Sequence, residues 1–341
     1  MRRLTVLLAI AACAGSAQTK KILVMGAGPD VKEYQSASPK ANVIAVTREN
    51  VMQEIGDADG FIGTITPEMV RAGKKLRWTQ IMSAGVENVL YKSGPDAAPN
   101  REFGAALRDS PIVLTNNQIV QGPEIADHAL AMLLYLTRRL YDPAWTSPGR
   151  SPGQYPGIEL RGRTAVVIGV GGIGTQISFR AWAFGMNVIG VDPEDIPFMP
   201  VIQRVVKPDQ LNEVLPLADV VFISAPHTPT SHKMMGPAQF DLMKKGSYFI
   251  AVSRGGIYDL PSLVKGLDSQ TLAGAGVDVT DPEPLPKDNA LWKFKNAVIT
   301  PHIAGRSDKD HARMVGTIKD NIKRFAEDMP LINVVDKQKG Y

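Results

Sequence analysis

Arg254 in "VSRGG", Glu283 in "DVTDPEPLP" and His302 in "TPHIAG" each stand just beyond a short apolar run. Together these types suit work on a carbonyl acid. An imidazole can give a proton to a ketone oxygen or take one from an alcohol. A neighbouring carboxylate fixes the tautomer of that imidazole, and a guanidinium holds a carboxylate or carbonyl through its planar fork. Singly, an arginine or glutamate after a strand is usually solvated or ion-paired, and a loop histidine is more often structural. The joint placement is what points to catalysis.

A second constellation supplies a cofactor. Gly169-Val170-Gly171-Gly172-Ile173-Gly174 fits G-x-G-x-x-G, follows the apolar run Thr164–Val170 and opens a helix predicted over Ile173–Phe184. That context turns a weak match into a dinucleotide fingerprint. Gly169 permits the tight turn, Gly171 lets a pyrophosphate approach the backbone, and Gly174 lets helix and strand pack closely. The N–H groups of Gly172 and Ile173, at the helix start, face the phosphate. Eighteen residues past Gly174, Asp192 ends the next strand. A carboxylate there accepts ribose hydroxyls and repels a 2′-phosphate. The nearest following arginine is Arg204, so NAD is favoured over NADP.

The elements that must position these groups alternate between apolar strands and helices. Lys21-ILVMG, Asn42-VIAVT, Arg77-WTQIMS and Pro111-IVLTN are predicted as buried parallel strands. Gly122-Pro123-Glu124 opens a helix in which Ile125, Ala129, Met132, Leu133, Leu136 and Leu140 recur at helical spacing, with Arg138-Arg139 in the last turn. Residues 141–159 are Pro/Gly-rich and form an excursion. A second series follows from Thr164-AVVIGV through Asn187-VIGVD, Asp219-VVFISAP, Tyr248-FIAVS and Ala275-GVDV to Ala297-VIT, and a last helix covers 308–328. The predicted fold is α/β, with two doubly wound parallel-sheet domains and a cleft between them. In such sheets ligands bind beyond the carboxyl ends of the strands, which puts Arg254, Glu283 and His302 beside the glycine loop. Ile173, Ile177 and Trp182 are expected to face the sheet.

Bulk properties narrow the class further. A chain of 341 residues, 44% hydrophobic and 21% charged, buries a sizeable core without metals or staples. A net charge of +4 without long Lys/Arg blocks gives nucleic-acid binding little support. The single cysteine, Cys13, excludes an internal disulfide framework. No histidine pair has metal-ligand spacing with an acidic partner, so no metal is expected.

The start of the chain stands apart. Met1-Arg2-Arg3, the apolar run Leu4–Ala12 and the small residues Ala14–Ala17 resemble a secretory signal. Cleavage after Ala17 would release an exported protein. Ile10-Ala11-Ala12-Cys13 also resembles a lipobox, and only a lipidated Cys13 would bring the protein to a membrane. A cytoplasmic protein with an unstructured start is the alternative.

The ordered stretches "SAGVENV" (83–89), "ADHALAMLLYLTRR" (126–139), "LRGRTAVVIGVGGIG" (160–174), "MKKGSYFIAVSRGGIYD" (243–259), "LAGAGVDVTDPEPLP" (272–286) and "LWKFKNAVITPHIAG" (291–305) resemble the D-isomer-specific 2-hydroxyacid dehydrogenases. The resemblance runs from about Lys21 to Val335. It implies a catalytic trio of Arg254, Glu283 and His302, with Asp278 meeting the nicotinamide carboxamide and Pro226 lining the cofactor site. It implies that Ser83, Ala84, Gly85 and Val86 clamp the substrate carboxylate, which suits a glycine-containing anion nest. It also implies a flavodoxin-like substrate domain of residues 20–124 plus 306–341, a Rossmann domain of 125–305, hinge helices near 123–140 and 308–328, and a homodimer. Three positions depart from the usual pattern: Ala251 stands where Asn is common, Glu87 where Asp is common, and Asp127 where Glu is common.

The expected activity is therefore NAD-dependent interconversion of a 2-keto acid and its D-2-hydroxy acid. A non-catalytic NADH-sensing module on the same scaffold is the alternative, against which the intact trio speaks. Among the remaining candidates, His128 is expected to pack at the hinge, His227 in "APHTP" to approach the nicotinamide ribose, and His232 and His311 to lie on the surface. Trp292 is expected to pack, Arg306 to be solvated or reach a second substrate charge, and Thr64, Ile65 and Met82 to set pocket width.

Overall fold

The computed structural model of the chain describes residues 19–26, 30–91, 100, 102–149 and 156–341. The signal-like segment through residue 18, with Cys13, lies outside these residues.

Twelve strands form two parallel sheets among the described residues. The first holds β1 (Lys20–Met25), β2 (Ala41–Val46), β3 (Gly60–Ile62), β4 (Trp78–Gln80) and β5 (Val113–Thr115) in the order β2-β1-β3-β4-β5. This is the flavodoxin-like order. The second holds β6 (Thr164–Ile168), β7 (Asn187–Val191), β8 (Arg204–Val206), β9 (Val220–Ile223), β10 (Ser247–Ala251), β11 (Leu272–Val277) and β12 (Ala297–Ile299). Its order, β12-β11-β10-β9-β6-β7-β8, is the Rossmann order with one further strand at the edge. Central strands such as β9 and β10 are buried at every residue. Helices therefore cover both faces, which is why these strands are continuous apolar runs rather than alternating ones.

Two long helices tie the sheets together. Helix Gly122–Thr137 begins with a proline in its first turn and buries Ile125, Ala126, Ala129, Leu133 and Leu136 in the core of the second sheet. Helix Asp310–Ala326 buries Val315, Ile318, Ile322 and Phe325 with Ile22, Val24 and Trp78 of the first sheet. Each such aliphatic side chain contributes roughly 1.5–3 kcal/mol by leaving water. The chain thus passes from the first sheet to the second between β5 and β6, and its last helix packs back on the first sheet.

Some local expectations fail. β3 sits at the centre of its sheet but is only three residues long, too short to show a period. β8 is equally short. Ile177 is buried as expected, but Trp182 does not face the sheet; it is half-exposed, and Ala181 is buried in its place. The first of the two long helices stops at Thr137, because Arg139 turns to φ +49°, so Arg138-Arg139 lie past its last turn and Leu140 is exposed.

Candidate active site

β10, β11 and β12 are parallel neighbours, so the residues that follow them emerge at one end of the sheet. Arg254 leaves β10, Asp278 follows β11, and His302 leaves β12. Asp278 is 1% exposed and organises this end. One carboxylate oxygen accepts the Thr300 hydroxyl at 2.5 Å and the Ile303 N–H at 2.9 Å; the other accepts the Ala304 N–H at 2.9 Å. Its own carbonyl accepts the His302 N–H at 2.8 Å. These bonds hold His302 at φ +55°, a conformation rarely adopted by a residue with a side chain.

The turn aims the imidazole at Glu283. His302 Nδ1 lies 3.0 and 3.2 Å from the two Glu283 oxygens. A hydrogen bond to an ionised carboxylate requires the proton on Nδ1, which leaves Nε2 for other work. Trp292 braces the glutamate loop: its indole N–H donates to the Pro286 carbonyl at 2.9 Å, while the ring stays half-exposed rather than packed. His128 reaches the Thr300 hydroxyl at 3.0 Å and so supports the Asp278 network from helix Gly122–Thr137.

Arg254 crosses to the other domain. Its Nε donates to Glu87 at 2.7 Å and one terminal nitrogen, Nη1, donates to the Ser253 carbonyl at 2.7 Å. Nη2 makes no hydrogen bond among the described residues. Gly85 is required here, because a Cβ on it would lie 2.2 Å from Nη2. The Ser83–Val86 loop is shaped by two residues that sequence reasoning missed. Asn116 donates to the Ala84 carbonyl at 2.7 Å, and Asn117 donates to the Met82 carbonyl at 2.8 Å. Their only sequence signal was "TNNQ" directly after β5. The Ser83 hydroxyl donates to the Gly85 carbonyl. Among the described residues the N–H groups of Ala84, Gly85 and Val86 donate no hydrogen bond, as an anion nest requires. Beside the loop is a cavity of about 260 Å³ lined by Thr64, Ile81, Met82, Ser83, Gly85, Asn88 and Val89. Ile65 is buried and does not line it.

The glycine loop has the geometry a dinucleotide needs. Gly169 is at φ +89°, and a Cβ on Gly174 would lie 1.8 Å from the Gly169 carbonyl oxygen. A Cβ on Gly171 would meet nothing within 4 Å, so the open space there suits a pyrophosphate against bare backbone. Gly172 and Ile173 begin helix Gly172–Ala183. Asp192, 8% exposed, accepts the Val170 N–H at 2.7 Å and the Glu194 N–H at 2.9 Å, which fixes its carboxylate beside the loop. The residues present fit a nicotinamide dinucleotide. Pro226 is exposed just past β9.

His227 follows Pro226 and is 5% exposed. Its Nε2 lies 3.0 Å from His232 Nδ1, and the rings stack. Burial, with the neighbouring His232, pushes its pKa down to about 4. His232 is thus half-buried in a histidine pair rather than free on the surface. His311 is exposed and meets Asp30; Arg306 is exposed. Among the described residues no group of three or more metal-ligating side chains comes together, and no helix is long and apolar enough to cross a membrane.

Residues 130–304 match the family described as D-isomer specific 2-hydroxyacid dehydrogenase, NAD binding domain. The chain is 31% identical over 299 residues to a D-3-phosphoglycerate dehydrogenase of Methanocaldococcus jannaschii, covering 85% of this chain and 54% of that protein. A glyoxylate reductase of Korarchaeum cryptofilum is 28% identical over 305 residues, covering 86% of this chain and 87% of that one. Among solved structures, an NADPH-dependent glyoxylate/hydroxypyruvate reductase of Sinorhizobium meliloti, in complex with NADP and malonate, superposes with a TM-score of 0.73 at 25% identity. That superposition covers 94% of this chain and 98% of the other. The chain belongs to the D-isomer specific 2-hydroxyacid dehydrogenase family. It spans about half the length of the phosphoglycerate dehydrogenases it matches.

Proposed function

We propose that this protein is an NAD-dependent oxidoreductase that interconverts a small 2-keto acid and its D-2-hydroxy acid. The observation that carries this reading is the Glu283–His302 pair at 3.0 Å, at the same sheet end as Arg254. In the reducing direction protonated His302 gives its Nε2 proton to the carbonyl oxygen, and Glu283 keeps the Nδ1 proton in place. Arg254 polarises the carbonyl or holds the carboxylate through Nη2, its edge not taken by Glu87 or Ser253. The free N–H groups of Ala84, Gly85 and Val86 take the substrate carboxylate. Gly169–Gly174 and the exposed Pro226 would hold NADH, which would supply the hydride. Asp278, expected to meet the nicotinamide, is instead buried, with its oxygens taken by Thr300, Ile303 and Ala304, and acts through the His302 turn. The carboxylate of Asp192 favours NADH over NADPH, although a relative acts with NADPH. Oxidation runs the same proton path backwards.

The cavity argues for a small, uncharged side chain on the substrate. No lysine or arginine is among the residues lining it, whereas a phosphate needs cations. A non-catalytic NADH-binding module is disfavoured by the intact trio. Turnover of glyoxylate, hydroxypyruvate and pyruvate, each with NADH and with NADPH, tests both points; binding of NADH without turnover of any keto acid would overturn the catalytic reading.

The same reading divides the chain into a substrate domain of 20–124 plus 306–341 and a cofactor domain of 125–305, closing over the cleft to exclude water. A homodimer is supported by the exposed Phe179, Trp182 and Phe184 around the end of one helix, and light scattering in solution tests it. Export of the protein rests on residues 1–17, and N-terminal sequencing of the native protein tests it.

A further inference from the structure

The last residues described return to the first domain and then leave it again. Val334 pairs antiparallel with Thr115 of β5, and the Val335 N–H donates to the Leu114 carbonyl at 2.9 Å. Lys337 then plugs into that domain. Its ammonium donates to three carbonyls, of Leu107, Ser110 and Ile112, at 2.9, 2.6 and 2.8 Å. Beyond this anchor the chain closes a turn: the Gly340 N–H donates to the Asp336 carbonyl at 2.7 Å and the Asp336 N–H to the Tyr341 carbonyl at 3.0 Å. Gly340 is at φ +87°, where a side chain would be strained.

From that turn two side chains reach across to the cofactor domain. The Lys339 ammonium and the Tyr341 hydroxyl both donate to one carboxylate oxygen of Glu194, at 2.7 and 2.8 Å. Lys339 and Tyr341 hold Glu194 below the usual carboxylate range. Glu194 lies two residues past Asp192, and its backbone N–H is one of the two that fix the Asp192 carboxylate. Burial, the hydrogen bond to Glu194 and the nearby carboxylates push the Tyr341 phenol up.

We infer that residues 336–341 form a strap from the substrate domain that closes the adenosine-ribose end of the cofactor crevice. Lys339 and Tyr341 are positioning residues: through Glu194 they hold the carboxylate of Asp192 toward the ribose diol of an adenosine dinucleotide. The inference rests on the assignment of the glycine loop and Asp192 to that cofactor. The strap also gives the two domains a contact besides the two long helices, so the grip on the adenosine half depends on how the domains are set.

The test is binding, not turnover. Dissociation constants of NADH and of ADP-ribose, which carries the adenosine ribose without the nicotinamide, are measured by calorimetry on the full chain. The wild type is compared with Glu194→Gln and with the double variant Lys339→Met, Tyr341→Phe. Loss of the contact should weaken both compounds by about two- to fivefold, on the scale of one exposed ion pair, with the thermal midpoint of the ligand-free protein unchanged. Lys339→Arg should bind both as the wild type does. If the double variant and Glu194→Gln bind ADP-ribose as tightly as the wild type, the strap is overturned while the cofactor site stands. A wild-type protein that binds neither compound overturns the cofactor assignment and the strap with it.

Discussion

Asp278 holds His302 by three backbone hydrogen bonds: its carbonyl takes the His302 N–H at 2.8 Å, and its carboxylate takes the next two, from Ile303 and Ala304, at 2.9 Å each. A buried carboxylate at the end of one strand thereby sets the angle at which the neighbouring strand presents an imidazole. The positive φ of His302 is stable only because every N–H in the turn has this acceptor. Asp278→Asn replaces one acceptor oxygen with a donor that faces N–H groups. The expected cost is about 1–3 kcal/mol. It should appear as a lower thermal midpoint together with reduced kcat, since the imidazole loses its aim.

His302→Ala removes the proposed proton carrier without touching the glycine loop. Turnover of the best keto acid should fall by about 10²–10⁴-fold while NADH still binds. Steady-state kinetics beside NADH fluorescence titration reads the two separately. Unchanged turnover would end the catalytic assignment.

Asp192→Ala takes away the carboxylate proposed to meet the adenosine ribose. NADH should bind more weakly, and NADPH, no longer repelled, should gain relative to it. The ratio of kcat/KM for the two cofactors is the measurement, and an unaltered ratio contradicts the ribose assignment.

Gly171 and Gly174 should separate cofactor approach from folding. A Cβ at 171 meets nothing within 4 Å, so Gly171→Ala should fold with its thermal midpoint near that of the wild type yet lose NADH affinity as the methyl enters the pyrophosphate space. At 174 a Cβ would collide with the Gly169 carbonyl, so Gly174→Ala should destabilise the protein by about 1–3 kcal/mol or more. Melting curves and titrations of the two variants side by side distinguish the effects.

His227 should make stability depend on pH. Its pKa in the fold, about 4, lies below the ordinary value of 6.5, because burial disfavours the charged ring. Above 6.5 both folded and unfolded chains hold it neutral, and its full contribution is present. As pH falls from 6.5 toward 4 the unfolded chain takes up the proton first, so stability declines, by about 3 kcal/mol at most. Denaturant unfolding at pH 7 and 4.5 should show a smaller loss in His227→Asn than in the wild type.

Much of the site was legible because it is written locally. A glycine fingerprint between a strand and a helix, an acid at the end of the next strand, and three polar residues after successive apolar runs are patterns of spacing, and spacing survives folding. The sheet does the rest, since parallel neighbours end on the same side. Glu283 and His302 meet for that reason, though nineteen residues separate them.

What the sequence could not show are contacts whose partners are set by the packing of one domain on the other. Glu87 stood out only as a longer acid in place of Asp, yet it takes the Nε of Arg254 from 167 residues away. Nothing in "ADGFIGT" marked three residues as the centre of a sheet, because a strand that short carries no period. Nor did "KQKGY" announce a hold on Glu194, 147 residues before Tyr341. The sequence by itself determined the strands, the fingerprint and the types of side chain at the strand ends, since these follow from local periodicity and turn chemistry. Only the tertiary structure decided which charges face each other across the cleft, because that depends on the angle between two sheets and on the two helices that join them.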